Sequence, residues 1–186
     1  MKKLSIASIA IVFFLMSGIV MPTTLKAQNE EKKEKVMDDS KQAKAEFLKG
    51  DASMAHLFND AYGYVIFPNV GKGAVGVGGA AGWGTVYEKG KGAIGNAHMT
   101  QVSVGAQAGG AAYREVIFFE SKQALDRFTA DKFEFTAQTQ AVAVKSGAAA
   151  NANYRDGVVV FSQEKGGLML DASLGGQKFD YTAFSK

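Results

Sequence analysis

This 186-residue chain predicts an α+β fold, with a mainly antiparallel, glycine-rich twisted sheet packed against amphipathic helices. Three observations carry that prediction. Residues 61–88, AYGYVIFPNVGKGAVGVGGAAGWGTVYE, interleave valine and aromatic residues with glycines at 71, 73, 76, 78, 79, 82 and 84, which is strand spacing. Helical periodicity is confined to the early chain and one short stretch in the middle. Strand-like segments outnumber the helices, and no alternation of helix and strand follows the glycine stretch, as a parallel sheet would require.

The elements follow in order. Residues 1–27 read as a secretory signal peptide, with Lys2 and Lys3 at its start, an apolar run from Leu4 to Met21, and cleavage expected between Ala27 and Gln28. A retained anchor is the competing reading, because that run lies at the short edge of the roughly 17–25 residues a span needs. Without cysteine the chain is neither an acylated lipoprotein nor a disulfide scaffold. The expectation is an exported protein, periplasmic or associated with the outer envelope.

Loss of the leader changes the charge argument. The full chain is formally +3, but removing Lys2, Lys3 and Lys26 leaves 18 basic residues against 18 acidic. A neutral mature chain gives no support to nucleic-acid binding. The remaining residues suffice for one domain with a core.

Residues 28–35, QNEEKKEK, carry no apolar side chain and read as a charged linker to a single domain over 36–186. Val36 to Lys49 reads as a first helix, with Val36, Ala43 and Phe47 on one face and Lys41, Lys44 and Lys49 around it. Gly50 stops it, and Asp51 is placed to cap a second helix. There Met54, Leu57, Phe58, Ala61 and Tyr62 repeat at helical spacing. Tyr64 to Phe67 reads as a short strand stopped by Pro68. Glu88 to Gly92, EKGKG, reads as a hairpin turn presenting Lys89 and Lys91. Val102, Val104 and Ala106 alternate with polar residues, and Tyr113 to Phe119 is apolar enough for a central strand. Ser121 is placed to cap a helix bearing Ala124, Leu125 and Phe128. Phe133 and Phe135 begin a further extended segment, and residues 137–152 are alanine-rich and fit no single element. Val158 to Phe161 and Leu168 to Leu174 read as a last hairpin around a QEKGG turn.

Chemistry is sparse. Gly71, Gly73 and Gly76 spell GxGxxG, but a dinucleotide site needs a helix after that string, and Gly78, Gly79, Gly82 and Gly84 oppose one. His56 and His98 lack ligand-spaced partners, and no thiol exists. We therefore expect no enzyme activity, no cofactor and no metal. Trp83, the single tryptophan, reads as core or rim, with a lipid boundary as the minority role.

Residues 61–88 closely resemble the start of the SYLF domain family, and the resemblance continues through SVGAQAGGAAYREVIFFES and GVVVFSQEKGGLMLDASLGG. It covers about residues 40–184. Members often carry Trp-Ser-x-Pro after the first hairpin, where this chain has Gly92 to Gly95. The resemblance implies a lipid-binding module for anionic lipids, using basic residues and an amphipathic N-terminal segment; yeast relatives also bind actin. On this chain the matching positions are Lys41, Lys44, Phe47 and Lys72. Lys89 and Lys91 join them because a hairpin tip holds charge outward. The expected partner is an anionic lipid or membrane surface. The alternatives are an envelope protein-interaction module using a sheet edge or the glycine groove, and an outer-membrane β-barrel, which the helices oppose.

Overall fold

The structure, a computed structural model, describes residues 22–75, 77–103, 109–130, 142–165 and 176–185. Among these residues three helices, α1 (Pro22–Gly50), α2 (Met54–Asp60) and α3 (Lys122–Thr129), accompany a sheet and one 3-10 turn, Ala149–Asn151. The strands are β1 (Gly63–Val75), β2 (Val77–Glu88), β3 (Gly92–Ser103), β4 (Gly109–Phe119), β5 (Val142–Ala143), β6 (Val158–Glu164) and β7 (Gln177–Ala183). They join in the order β5-β6-β4-β1-β2-β3-β7. Every pairing is antiparallel except the short one between β5 and β6. The α+β class predicted from the sequence is the class observed. The chain divides into two units, Met1–Lys32 and Lys33–Lys186. The start of α1 lies in the first, and the features below belong to the second.

Helix α1 begins earlier than its apolar periodicity indicates. Residues 28–35, read as a charged linker, are helical, because Gln, Glu and Lys are strong helix formers even without an apolar face. Burial starts only at Ser40, Ala43 and Phe47, one turn apart on one side.

Each face of the sheet has its own core. On one, Ala43 and Phe47 of α1 and Met54, Leu57 and Phe58 of α2 cover Ile66, Val116, Phe118, Val159 and Phe161. On the other, Leu125 and Phe128 of α3 pack with Val65, Phe67, Ile117, Phe119, Val160 and Phe179. Alternation along β1, β4 and β6 sends successive side chains to opposite cores, which makes these three the central strands.

The second face is concave. Gln177 of β7 donates to Glu115 of β4 at 3.2 Å, although three strands lie between them in the sheet. Flat, four strand spacings of about 4.8 Å would separate them by about 19 Å. Phe67 and Phe179, three spacings apart, bring their rings to 5.8 Å. The sheet therefore curls around its own core, as a strongly twisted sheet can. Glycine permits this: a Cβ on Gly84 would lie 2.6 Å from the Ile66 carbonyl and 2.7 Å from the Phe67 ring. The ring lies against bare β2 backbone instead.

Pro68 does not stop the first strand. β1 runs through it with a bulge: the register shifts between Phe67 and Val70 against β4, and between Ile66 and Asn69 against β2. The extra residue absorbs a proline that cannot donate to the ladder. The GxGxxG string lies at the end of β1 and its junction with β2, so a strand, not a helix, follows it. Val104, Ala106, Phe133, Phe135 and Leu168 to Leu174 lie outside the described residues. β7, unread in the sequence, lies on the β3 edge of the sheet.

Candidate functional site

The six residues singled out from the sequence fall into different environments. Lys41 is exposed, its side chain 64% accessible, and pairs with Asp38 at 2.8 Å. Lys91 is 65% accessible and pairs with Glu88 at 2.9 Å across the β2–β3 turn. Lys89 is exposed in the same turn, where Gly90 and Gly92 take the positive φ values that a tight reversal demands. Lys44 is turned inward: its ammonium bonds the Tyr64 hydroxyl at 3.2 Å and lies 4.5 Å from the Phe58 ring centre. Phe47 is fully buried between α1 and the sheet, so its apolar surface is already occupied by the protein. Lys72 sits in β1, in register with Ala80 and Ala111, and its side chain lies outside those described.

Of these lysines, Lys44 lies against an aromatic stack. Tyr64 and Tyr87 stack at 4.9 Å. Burial, with the neighbouring Tyr64 and the charge of Asp38, pushes the Tyr87 phenol up to about 12. The Asp38–Lys41 turn of α1 is thus felt at Tyr87, whereas Lys91 and its partner Glu88 group with Tyr62 and with Lys122 of α3. Trp83 on β2 is 39% exposed and lies 4.5 Å from the His98 ring.

Charged groups that the sequence did not single out gather at the bulge. Asp39, Gln42, Ala43, Ala45 and Glu46 of α1 form one wall of a cleft of about 420 Å³; Pro68, Asn69, Arg114 and Lys165 form the other. Strand pairing places them: Arg114 sits opposite Gln163 on β6, and the Lys165 amide bonds the Ala112 carbonyl. Arg114 donates to the Gln163 side-chain oxygen at 3.4 Å, and Lys165 to Asn69 Oδ1. Gln163 in turn donates to the Glu46 carbonyl, tying α1 to the sheet edge of the cleft. Ser40, one turn earlier, bonds the Ile66 carbonyl and Thr85 Oγ1. Both cations are half-buried, and neither has a carboxylate within ion-pair distance among the described residues. Burial, and then the Arg114 charge, lower the Lys165 ammonium below its ordinary value.

Two buried carboxylates lie elsewhere. Asp51, expected as a helix cap, reaches across the chain instead and accepts from the Gly147 and Ala149 amides at 3.1 and 2.8 Å, as well as from Ser53. Burial alone would raise it, but these bonds prevail and hold it at about 2. Ser53 occupies the cap position of α2 without a side-chain bond to the helix amides. Ser121 caps α3 as read, accepting from the Ala124 amide. Glu115 lies inside the curl with Gln101, Tyr113 and Gln177; its Oε1 has no partner, and burial pushes it up to about 7. His56 is exposed. Among the described residues no group of three or more His, Asp or Glu side chains could hold a metal, and no helix is long and apolar enough to cross a membrane.

Comparisons with known proteins bear on this arrangement. Residues 100–182 match the family described as Ysc84, Las17-binding protein actin regulator. The chain is also 32% identical over 123 residues to a protein of Aeromonas veronii named Beta cell expansion factor A. That alignment takes in 66% of this chain and 47% of the relative, so the chain spans about half that protein's length.

Proposed function

Residues 100–182 of this chain belong to the Ysc84 (SYLF) family, and from that premise we propose a non-enzymatic, exported module that contacts anionic lipid or membrane surfaces. The observation that carries this reading is the exposure of Lys41 on α1 and of Lys89 and Lys91 in the β2–β3 turn. An exposed ion pair such as Lys41–Asp38 is worth only about 0–1 kcal/mol, so an anionic headgroup can replace that partner. Trp83 supports the same reading, since tryptophan favours boundaries with an apolar and a wet side. Lys44 and Phe47 support α1 packing rather than contact.

Each lysine near an anionic surface adds about 1 kcal/mol, so binding is weak, reversible and salt-sensitive. Vesicle co-sedimentation of the protein, in the form its cell accumulates, tests this. Anionic vesicles should bind it at low salt and release it at high salt, and neutral ones should leave it in solution. Lys41→Glu with Lys89→Glu and Lys91→Glu should weaken binding, as should Lys72→Glu. Indifference of the wild type to anionic vesicles at low salt would remove the membrane reading. Intact mass bears on export: an N-terminus at Gln28 supports it.

A protein partner is the second reading. β7 pairs with β3 and has no further neighbour among the described strands, so its outer edge can accept an added strand. The family's printed description, as a Las17-binding protein, supports a protein partner of this kind. Proline placed in β7 on its outward-facing amides would weaken such a partner and spare vesicles.

A further inference from the structure

We propose that the cleft at the Pro68–Asn69 bulge binds a phosphate group, held by Arg114 and Lys165 with Asn69 beside them. The inference rests on the membrane reading only for the source of the phosphate.

Half-buried cations of like sign repel one another and lose hydration, so a fold normally sets a carboxylate between them. Here the groups bonded to them are neutral oxygens, Gln163 for Arg114 and Asn69 for Lys165, and the carboxylates of the cleft, Asp39 and Glu46, stand on the opposite wall beyond ion-pair distance. Arg114 commits one bond to Gln163 and keeps further N–H donors in the fork that suits phosphate oxygens. Burial first, and the Arg114 charge after it, lower the Lys165 ammonium against the pull of Asp39, and a bound anion would offset both.

The bulge is what builds the site. Two residues of β1, Pro68 and Asn69, stand against Arg114 alone on β4, because Phe67 faces Glu115 and Val70 faces Tyr113. The ladder opens there, and Asn69 is re-aimed toward Lys165. Gln163 and Ser40 fasten α1 over the opening, so the cleft has a rigid roof and floor. Its volume, about 420 Å³, suits a small ligand or a headgroup rather than acyl chains.

The helix wall limits the ligand's charge. Asp39 is occupied by Lys35 at 3.2 Å, but Glu46 also lines that wall. A single phosphate whose remainder is neutral or cationic fits such a cleft, and a polyphosphate does not.

The test uses the full protein and two probes. Inorganic phosphate is titrated while backbone amide shifts are followed, and vesicles containing phosphatidic acid are co-sedimented. Shifts centred on Asn69, Val70, Arg114 and Lys165 in the wild type are expected. The double variant Arg114→Gln, Lys165→Gln should weaken phosphate binding about tenfold or more while keeping the wild-type unfolding midpoint. If free phosphate is ignored but vesicle binding falls about tenfold in the double variant, the phosphate is a lipid headgroup. If phosphate binds in the cleft and vesicles are ignored, the site stands and the membrane reading falls. Vesicle binding equal in wild type and variant, with no phosphate shifts at the bulge, overturns the site and leaves the membrane reading intact. The wild-type shift map needs no variant, so misfolding of the double variant does not shelter the proposal.

Discussion

Replacing Glu115 by glutamine should stabilise the protein, and by more as the pH rises. Glu115 is fully buried, with no cationic partner among the described residues and one oxygen without a hydrogen bond. Burial lifts its carboxyl from 4.5 to about 7. Below 4.5 the group is protonated in folded and unfolded chains alike and contributes nothing. Between 4.5 and about 7 the folded state keeps a proton that the unfolded chain has released, so stability falls as pH rises. Above that window the carboxylate is charged in both states, and the penalty is complete at roughly 3 kcal/mol. Glutamine is uncharged at every pH, still accepts from Gln177, and adds a donor that the carboxylate lacks. Urea unfolding of both proteins from pH 5 to pH 8 is the assay. The variant's advantage should be about 2–3 kcal/mol larger at pH 8 than at pH 5. Asp51, which titrates near 2, stays charged throughout and cancels in the comparison. Parallel curves would refute the reasoning, because they would mean that Glu115 holds no proton the unfolded chain gives up.

Three further outcomes are expected. Asp51→Ala strands the Gly147 and Ala149 amides and should cost about 1–3 kcal/mol in urea unfolding at neutral pH. The wild type's share of that stability is present above pH 3.8 and lost as pH falls through about 2, so the gap between the two proteins should narrow in acid. Gly84→Val meets the Ile66 carbonyl and the Phe67 ring and should cost about 1–3 kcal/mol or more, whereas Gly71→Ala meets open space; equal denaturation midpoints would contradict the close packing of the curl. Phe47→Ala should lower stability by about 3–5 kcal/mol while Lys41→Glu leaves it nearly unchanged, and the reverse order would return Phe47 to the surface.

What could be read from the sequence depended on how many side chains each element commits to one face. α2 was legible because Met54, Leu57 and Phe58 repeat at 3.6-residue spacing, and the Ser121 cap because a polar residue precedes a periodic run. β7 was not, since QKFDYTA carries only Phe179 and Tyr181 as large apolar residues. Phe47 shows a different limit. An apolar helix face suits a bilayer or a sheet equally, and periodicity does not say which apolar medium it meets. The cleft was hidden twice over. Arg114 and Glu115 stand side by side in a strand read for its apolar content, yet adjacent residues face opposite sides of the sheet. One lines an outer cleft and the other enters the inner core. The partner of that cleft, Lys165, follows β6 and is brought to Asn69 only by long-range pairing.

The curl also sets the order in which the chain can mature. β7 is the last of the described elements, yet Phe179 closes over Phe67 and Phe128, and Gln177 supplies the only bond to Glu115 among the described residues. A chain released from its N-terminal end can pair β1, β2 and β3 early, since they are neighbours in sequence and in space. It cannot seal the inner core until residues 177–183 emerge. Until then two phenylalanines and a carboxylate face water on a half-wound sheet with an open β3 edge, a surface that invites chaperones or wrong strand partners. Non-local closure of this kind is slow, on the order of milliseconds to seconds. The final strand is thus the latch of folding, and losing it would cost the chain its interior rather than one edge.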